Sequence, residues 1–296
     1  MLKVRRTSHG SAYLHVWREG DEYFRQKSPR FLTEWTNVMF VAVPVPPIDN
    51  VFYVDLSKEQ LDIPNHTFDA VNAYHVFEHM TPQEGEKFAR ELFRVLKSNA
   101  ICRISVPDLE STCREYLHHL EVAEKEPTPQ NIRRYQWNVM EIFEQMVRDK
   151  RGGLMADALR RGDYDGDYID KKFSDVYRPF MQRLSEQPGA PTDGAVWVPF
   201  FHRLWPLTPG RIYRGLKWRY VHYRTGNDPM IIKEKTRWMY DRVSLGVLMR
   251  RAGFVQIQQR DFKNSDIPYW NKYDLDCSNF ADRAIDPSVY IEGRKP

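Results

Sequence analysis

The 296-residue sequence predicts an α/β protein, an open and largely parallel sheet interrupted by a large, mostly helical insertion. Three observations point that way. Apolar, β-branched runs such as Asn37–Val45 lack polar alternation, as strands buried on both faces do. Beside them, Pro82–Leu96 has a helical period, with Phe88, Leu92, Phe93, Val95 and Leu96 recurring at three- and four-residue steps. The rhythm then stops near residue 111 and resumes only at Asp241–Ala252, a connection far too long for a plain loop.

Taken in order, residues 1–36 mix aromatics and charges without a clean period and read as a peripheral lead-in. Asn37–Val45 reads as the first strand, Val51–Leu56 as the second and Phe68–Tyr74 as the third. Thr81 is placed to cap the helix that follows, with Pro82 at its first position and Glu84 where a capping box needs it. Ala100–Val106 is the next strand, closed by Pro107 and Asp108. Cys113–Lys125 and Asn131–Lys150 are helical patterns, and Gly152-Gly153 reads as a helix stop rather than a phosphate cradle. Residues 37–110 and 236–296 thus form the core, and 111–235 an insertion capping the sheet's ligand edge. Within it, the aromatic-basic run from His202 to Tyr223 is either a stacking lid over a substrate or the insertion's own core. After Asp241–Ala252, with Leu245, Leu248 and Met249 on one face, Gly253 fits the C′ position. Phe254–Arg260 and Ser288–Gly293 read as the last strands. No repeat or low-complexity tract is evident.

Composition excludes some classes. Apolar residues make up 42%, enough for a substantial core. Lys and Arg number 44 against 40 Asp and Glu, a net +4, and so small an excess is no nucleic-acid footprint. Cys102, Cys113 and Cys277 form no CxxC pair, and Cys102, in an apolar run, reads as a small buried hydrophobe. The N-terminus lacks an apolar signal region and no stretch is long enough to span a bilayer. A soluble, cytoplasmic protein with no membrane partner is expected, and the reading leaves room for a homo-oligomer.

The segment Thr67–Met80 (TFDAVNAYHVFEHM) resembles the fourth-strand signature of S-adenosylmethionine (SAM) dependent class I methyltransferases. Glu91–Lys97 (ELFRVLK) followed by Ile104–Leu109 (ISVPDL) resembles the next helix and strand of that family. Trp238–Arg242, with Ala252-Gly253-Phe254, and Tyr135–Gly153 are similar to parts of a subgroup from surface-glycan or natural-product pathways. The resemblance runs from about residue 40 onward. It implies a Rossmann-like sheet, SAM as cofactor, and methyl transfer to a small molecule such as a sugar, a nucleotide-linked sugar or a natural-product intermediate. The family's first strand runs into a Gly-rich turn, whereas the corresponding stretch here reads Val43-Pro44-Val45-Pro46-Pro47, with fixed φ angles and missing amide donors. Either SAM binds there in an altered pose, with Val43, Pro44, Asp55 and Asp62 around it, or the domain has lost SAM and become a pseudo-methyltransferase. The latter would be a metal-dependent enzyme or a non-catalytic partner subunit.

In open parallel sheets ligands sit beyond the carboxyl ends of the strands, so residues just after each strand matter most. Asp55 can accept bonds from ribose hydroxyls there, or be a turn aspartate capping Ser57 onward. Asp62 would bond the adenine amine, as the resemblance implies, or be an ordinary turn residue. His75, Glu78 and His79 have a spacing that puts them on one side of a helical turn. They are the candidate catalytic group, with His75 also contacting cofactor. Imidazole and carboxylate also suit a divalent metal, and a purely structural role is the third reading. Asp241 reads as a helix cap with Arg242 paired nearby, and Tyr240 could line the pocket.

Overall fold

The computed structural model describes residues 4–18, 33–40, 51–54, 61–150, 152–172, 235–273, 275 and 288–296. Seven strands form one sheet: β1 (Tyr13–Arg18), β2 (Thr36–Phe40), β3 (Val51–Val54), β4 (Phe68–Tyr74), β5 (Leu96–Pro107), β6 (Val255–Arg260) and β7 (Ser288–Arg294). Their order is β3-β2-β1-β4-β5-β7-β6. Strands β1 to β5 are parallel, and β7 runs antiparallel to both β5 and β6. This is the doubly wound Rossmann order 3-2-1-4-5 with the last strand inserted beside the fifth. The chain reverses its winding between β1 and β4, so the ligand crevice of such a sheet lies at their carboxyl ends.

The first strand is not where the sequence reading put it. β1 lies inside the supposed lead-in, at the centre of the sheet, and Asn37–Val45 contributes the second strand, β2. The cause is His15, which breaks the apolar run of β1 yet is fully buried with its Nδ1 accepting a bond from Asn72 Nδ2 at 3.2 Å. Two corrections follow. Val43–Pro47 comes after β2, and the segment that leaves the central strand is Glu19-Gly20-Asp21, with one glycine. Asp55 comes after the third strand, not the second.

The two faces of the sheet differ. On one, Leu14, Val16, Val71, Ala73, Cys102, Ile104 and Val106 pack under two helices, α1 (Pro82–Val95) and the helix Arg242–Ala252. Burial drives the Cys102 thiol strongly up, which keeps it protonated. Helix α1 is capped as expected: Thr81 accepts from Glu84 N, and Glu84 accepts from Thr81 N at 2.8 Å. It buries Gly85, Ala89, Leu92 and Val95, one stripe at helical spacing. Gly85 is required, because a Cβ would meet Tyr240 Oη at 2.8 Å.

The other face carries aromatics, among them Tyr13, Trp17, Trp35, Trp270 and Tyr273. Through it runs a buried polar row in strand register: Asn37, His15, Asn72, Arg103 and Glu292. Arg103 pairs with Glu292 at 2.9 Å and lies between the rings of Trp270 and Tyr290, 4.7 and 4.8 Å from their centroids. Burial pushes the His15 imidazole down to about 3, so it is neutral.

Between β5 and residue 172 the described chain is helical. It comprises α2 (Leu109–Lys125), α3 (Pro129–Val139) continued by a wide π turn (Met140–Glu144) and one further turn to Val147, α4 (Gly153–Arg161) and residues 166–172. Lys172 is buried between Glu115 and Glu141, whose carboxylates outweigh the burial that opposes its charge and keep it protonated. The glycine pair does not stop the preceding helix. Gly152 and Gly153 both have positive φ and open α4. Glu144 accepts the Leu154 amide at 3.0 Å, occupying the place a phosphate would take. The stretch from His202 to Tyr223 lies outside the described residues. The core's last helix is α5 (Arg242–Ala252), capped by Asp241 and ended by Gly253 at φ 109°, and Arg242 pairs with Glu110 at 3.0 Å.

Candidate functional site

The site is built at the carboxyl end of β4, one side of the sheet's switch point. The strand ends in Tyr74, and His75 follows in a left-handed conformation, φ 47°. Left-handed histidine is uncommon and costs backbone energy. Its amide is held by Ser105 O at 2.9 Å. The chain then makes a tight turn, Phe77–His79, with Phe77 anchored in the helix-side core and Glu78 buried.

This turn brings the three predicted residues together around one oxygen. Glu78 Oε1 lies 3.4 Å from His75 Nδ1 and 3.7 Å from His79 Nε2. The outer nitrogens are also engaged: His75 Nε2 is 3.1 Å from Ser288 Oγ, and His79 Nδ1 is 3.0 Å from Lys235 O. Burial opposes the charge on Glu78, but the His79 and His75 imidazoles hold the carboxyl below its usual range. Glu78 is therefore ionised at neutral pH. Its other oxygen, Oε2, has no hydrogen-bond donor among the described residues.

Residues 235–241 close over this turn. Arg237 and Trp238 donate their amides to Glu78 O at 2.7 and 3.1 Å, and the Thr236 amide reaches Gln145 O at 3.0 Å. Tyr240 pairs with Asp108 at the end of β5, and its phenol is pushed up to about 12 by burial and by the Glu78 charge. Burial raises the Asp108 carboxyl. Tyr240 is thus in the core beside the turn, and its ring also lines a shallow groove of about 300 Å³ with Trp238, Val247 and Leu248.

The other predicted positions fare differently. Val43, Pro44 and Asp55 lie outside the described residues, though in the chain they follow the carboxyl ends of β2 and β3. Asp62 is exposed. Its neighbour Leu61 gives its amide to Glu91 at 2.7 Å and its carbonyl to Arg94 at 3.2 Å. Glu91 is about 14 Å along α1 from Pro82, toward the opposite edge of the sheet. Among the described residues no group of three His, Cys, Asp or Glu is arranged to hold a metal. Ser288 was missed as a site residue. Its strand was foreseen, but only the antiparallel direction of β7 carries the strand's first residue to the ligand edge.

Residues 35–104 match the family model for methyltransferase domains. The match runs from Trp35, ahead of β2, into β5, and so contains the β4 turn. No curated protein matches the chain. Among solved structures, PigF with SAH is similar at 10% identity and a TM-score of 0.36, covering 96% of this chain and 56% of its own. A SAM-dependent methyltransferase from Thermotoga maritima is 10% identical, TM-score 0.34, with 100% and 84% covered. The S-adenosylmethionine-dependent methyltransferase SibL is 9% identical, TM-score 0.37, with 99% and 51% covered. The chain therefore spans little more than half the length of PigF and SibL.

At the carboxyl end of β4 the rings of Tyr74 and His75 pack against each other, 4.4 Å between centroids. No described helix is long and apolar enough to cross a membrane.

Proposed function

We propose that the chain is a SAM-dependent methyltransferase acting on a small molecule, a sugar, nucleotide-linked sugar or natural-product intermediate. The observation that carries this reading is the β4 turn: the methyltransferase-domain match ends one strand beyond it, and it stands at the switch point of a Rossmann-like sheet with a buried, ionised carboxylate behind an imidazole. His75 and Tyr74 would hold the cofactor on the β4 side. Asp55, after β3, and the Val43-Pro44 loop, after β2, would complete the crevice. Asp62 is left out, because its surroundings belong to the other end of α1.

When bound, SAM supplies an electrophilic methyl group on a sulfonium. The protein's work is to align the acceptor with that methyl group and to exclude water. Glu78 orients His75 from the Nδ1 side, which directs Nε2 as the group that can take a proton. His79, fixed between Lys235 O and Glu78, ties residues 235–238 over the turn. Isothermal titration tests the reading: SAM and S-adenosylhomocysteine (SAH) should both release or absorb heat with one-site stoichiometry. No heat with either ligand at millimolar concentration rejects it.

A further inference from the structure

We propose that Ser288, His75 and Glu78 form a proton relay that equips the site for an acceptor bearing a hydroxyl group. The inference rests on the methyltransferase reading and narrows its substrate class. Ser288 Oγ lies 3.1 Å from His75 Nε2, and His75 Nδ1 lies 3.4 Å from Glu78 Oε1. A hydroxyl, an imidazole and a buried carboxylate in this order are the parts of a general-base dyad with a hydroxyl at its outer end. The first distance is within hydrogen-bond reach, and the second is of the length that tightens when a reaction complex forms.

Three further observations place the relay at the chemistry. β7 runs antiparallel to β5 and pairs Ser288 with Pro107, so the hydroxyl stands at the carboxyl edge of the parallel strands. His75 is held in a left-handed conformation at the end of β4, a strained state typical of functional positions. Its side chain is 26% exposed against 10% for His79, and the outer nitrogen of His79 is taken up by a backbone carbonyl. His75 is thus the imidazole that can exchange a proton with an incoming group.

The step balances without any further reagent. The acceptor O–H gives its proton to Ser288 Oγ as Ser288 passes its own proton to His75 Nε2. The acceptor oxygen bonds the methyl carbon of SAM, and the displaced electron pair stays on sulfur. The imidazolium is neutralised by Glu78 and later releases its proton to solvent. A carboxylate acceptor is already ionised at neutral pH and has no use for such a relay, whereas an alcohol needs one.

The experiment reads the tautomer of His75 in the full-length chain by two-bond 1H–15N correlation, assigned by difference with His75→Gln. The relay requires a proton on Nδ1 and a bare Nε2 whose resonance moves in Ser288→Ala and returns in Ser288→Thr. SAH titration on the same samples reads the cofactor site separately. SAH binding together with a proton on Nε2, or with an Nε2 signal indifferent to Ser288→Ala, overturns the relay alone. Absence of SAH binding overturns the methyltransferase reading and the relay with it.

Discussion

Two buried carboxylates show how the same side chain serves different ends in this molecule. Glu292 lies in the middle of β7 and is satisfied on both oxygens: Arg103 and Ser265 meet Oε1 at 2.9 and 2.5 Å, and the Asp266 amide meets Oε2 at 2.9 Å. Its main partner is a guanidinium, charged at every relevant pH and clamped between two aromatic rings. Glu78, beyond the end of β4, shares one oxygen between two imidazoles at 3.4 and 3.7 Å, and among the described residues the other has no donor. A permanently paired carboxylate fixes a strand register and a covering loop. One paired with titratable rings can follow a proton. The difference separates structure from chemistry better than burial does, since both are almost completely inaccessible.

The comparison can be broken most directly at Arg103. Arg103→Ala removes the buried partner of Glu292, leaving it only the partly exposed Arg260 at 3.5 Å, and should cost about 3–5 kcal/mol in urea unfolding, the penalty of removing one partner of a buried ion pair. If the variant lost less than about 1 kcal/mol, the structural assignment of this pair would fail. Acid titration sharpens the contrast next. His15 is neutral in the fold with a value near 3, so the unfolded chain binds a proton that the native one refuses as pH falls below about 6.5. Stability should fall by about 1.4 kcal/mol per pH unit from there, a slope that His15→Gln removes. Glu78 acts in a lower window. Its depressed carboxyl contributes stability that is complete above the unfolded value of about 4.5 and is lost as pH falls through the native value. Wild type and Glu78→Gln should therefore differ in acid sensitivity below about pH 4.5, as followed by circular dichroism.

A third buried carboxylate, Glu144, offers a smaller test. A Cβ on Gly153 would overlap its Oε1, and Gly153 has φ 57°. Gly153→Ala should lower stability by about 1–3 kcal/mol while leaving SAH binding unchanged. The exposed Glu84 stands at the far end of the series. Thr81→Ala breaks its capping box and should cost about 1 kcal/mol, measurable as a small fall in Tm.

Much of the fold could be read in the chain because its signals are local. The α1 cap, the apolar stripe of that helix, the Asp241 cap and the Gly253 stop depend on residues a few positions apart. β1 escaped because its burial depends on Asn72, a residue 57 positions away that gives His15 a partner. A polar residue in a strand reads as exposed until its partner is known. The candidate site divides the same way. His75, Glu78 and His79 were visible as a spaced group after a recognisable strand, whereas Ser288 lies 213 positions from His75 and offers no motif.

The amino-acid sequence determined the class of sheet, the ends of the two helices that cover it and the spacing of the His75, Glu78 and His79 group after β4, since each follows from periodicity, capping or turn propensity within a short window. Tertiary structure alone decided which strand is central, that both imidazoles meet one carboxylate oxygen, and that Ser288 faces His75. Those facts depend on strand order, direction and burial, which set distances between residues the chain itself keeps far apart.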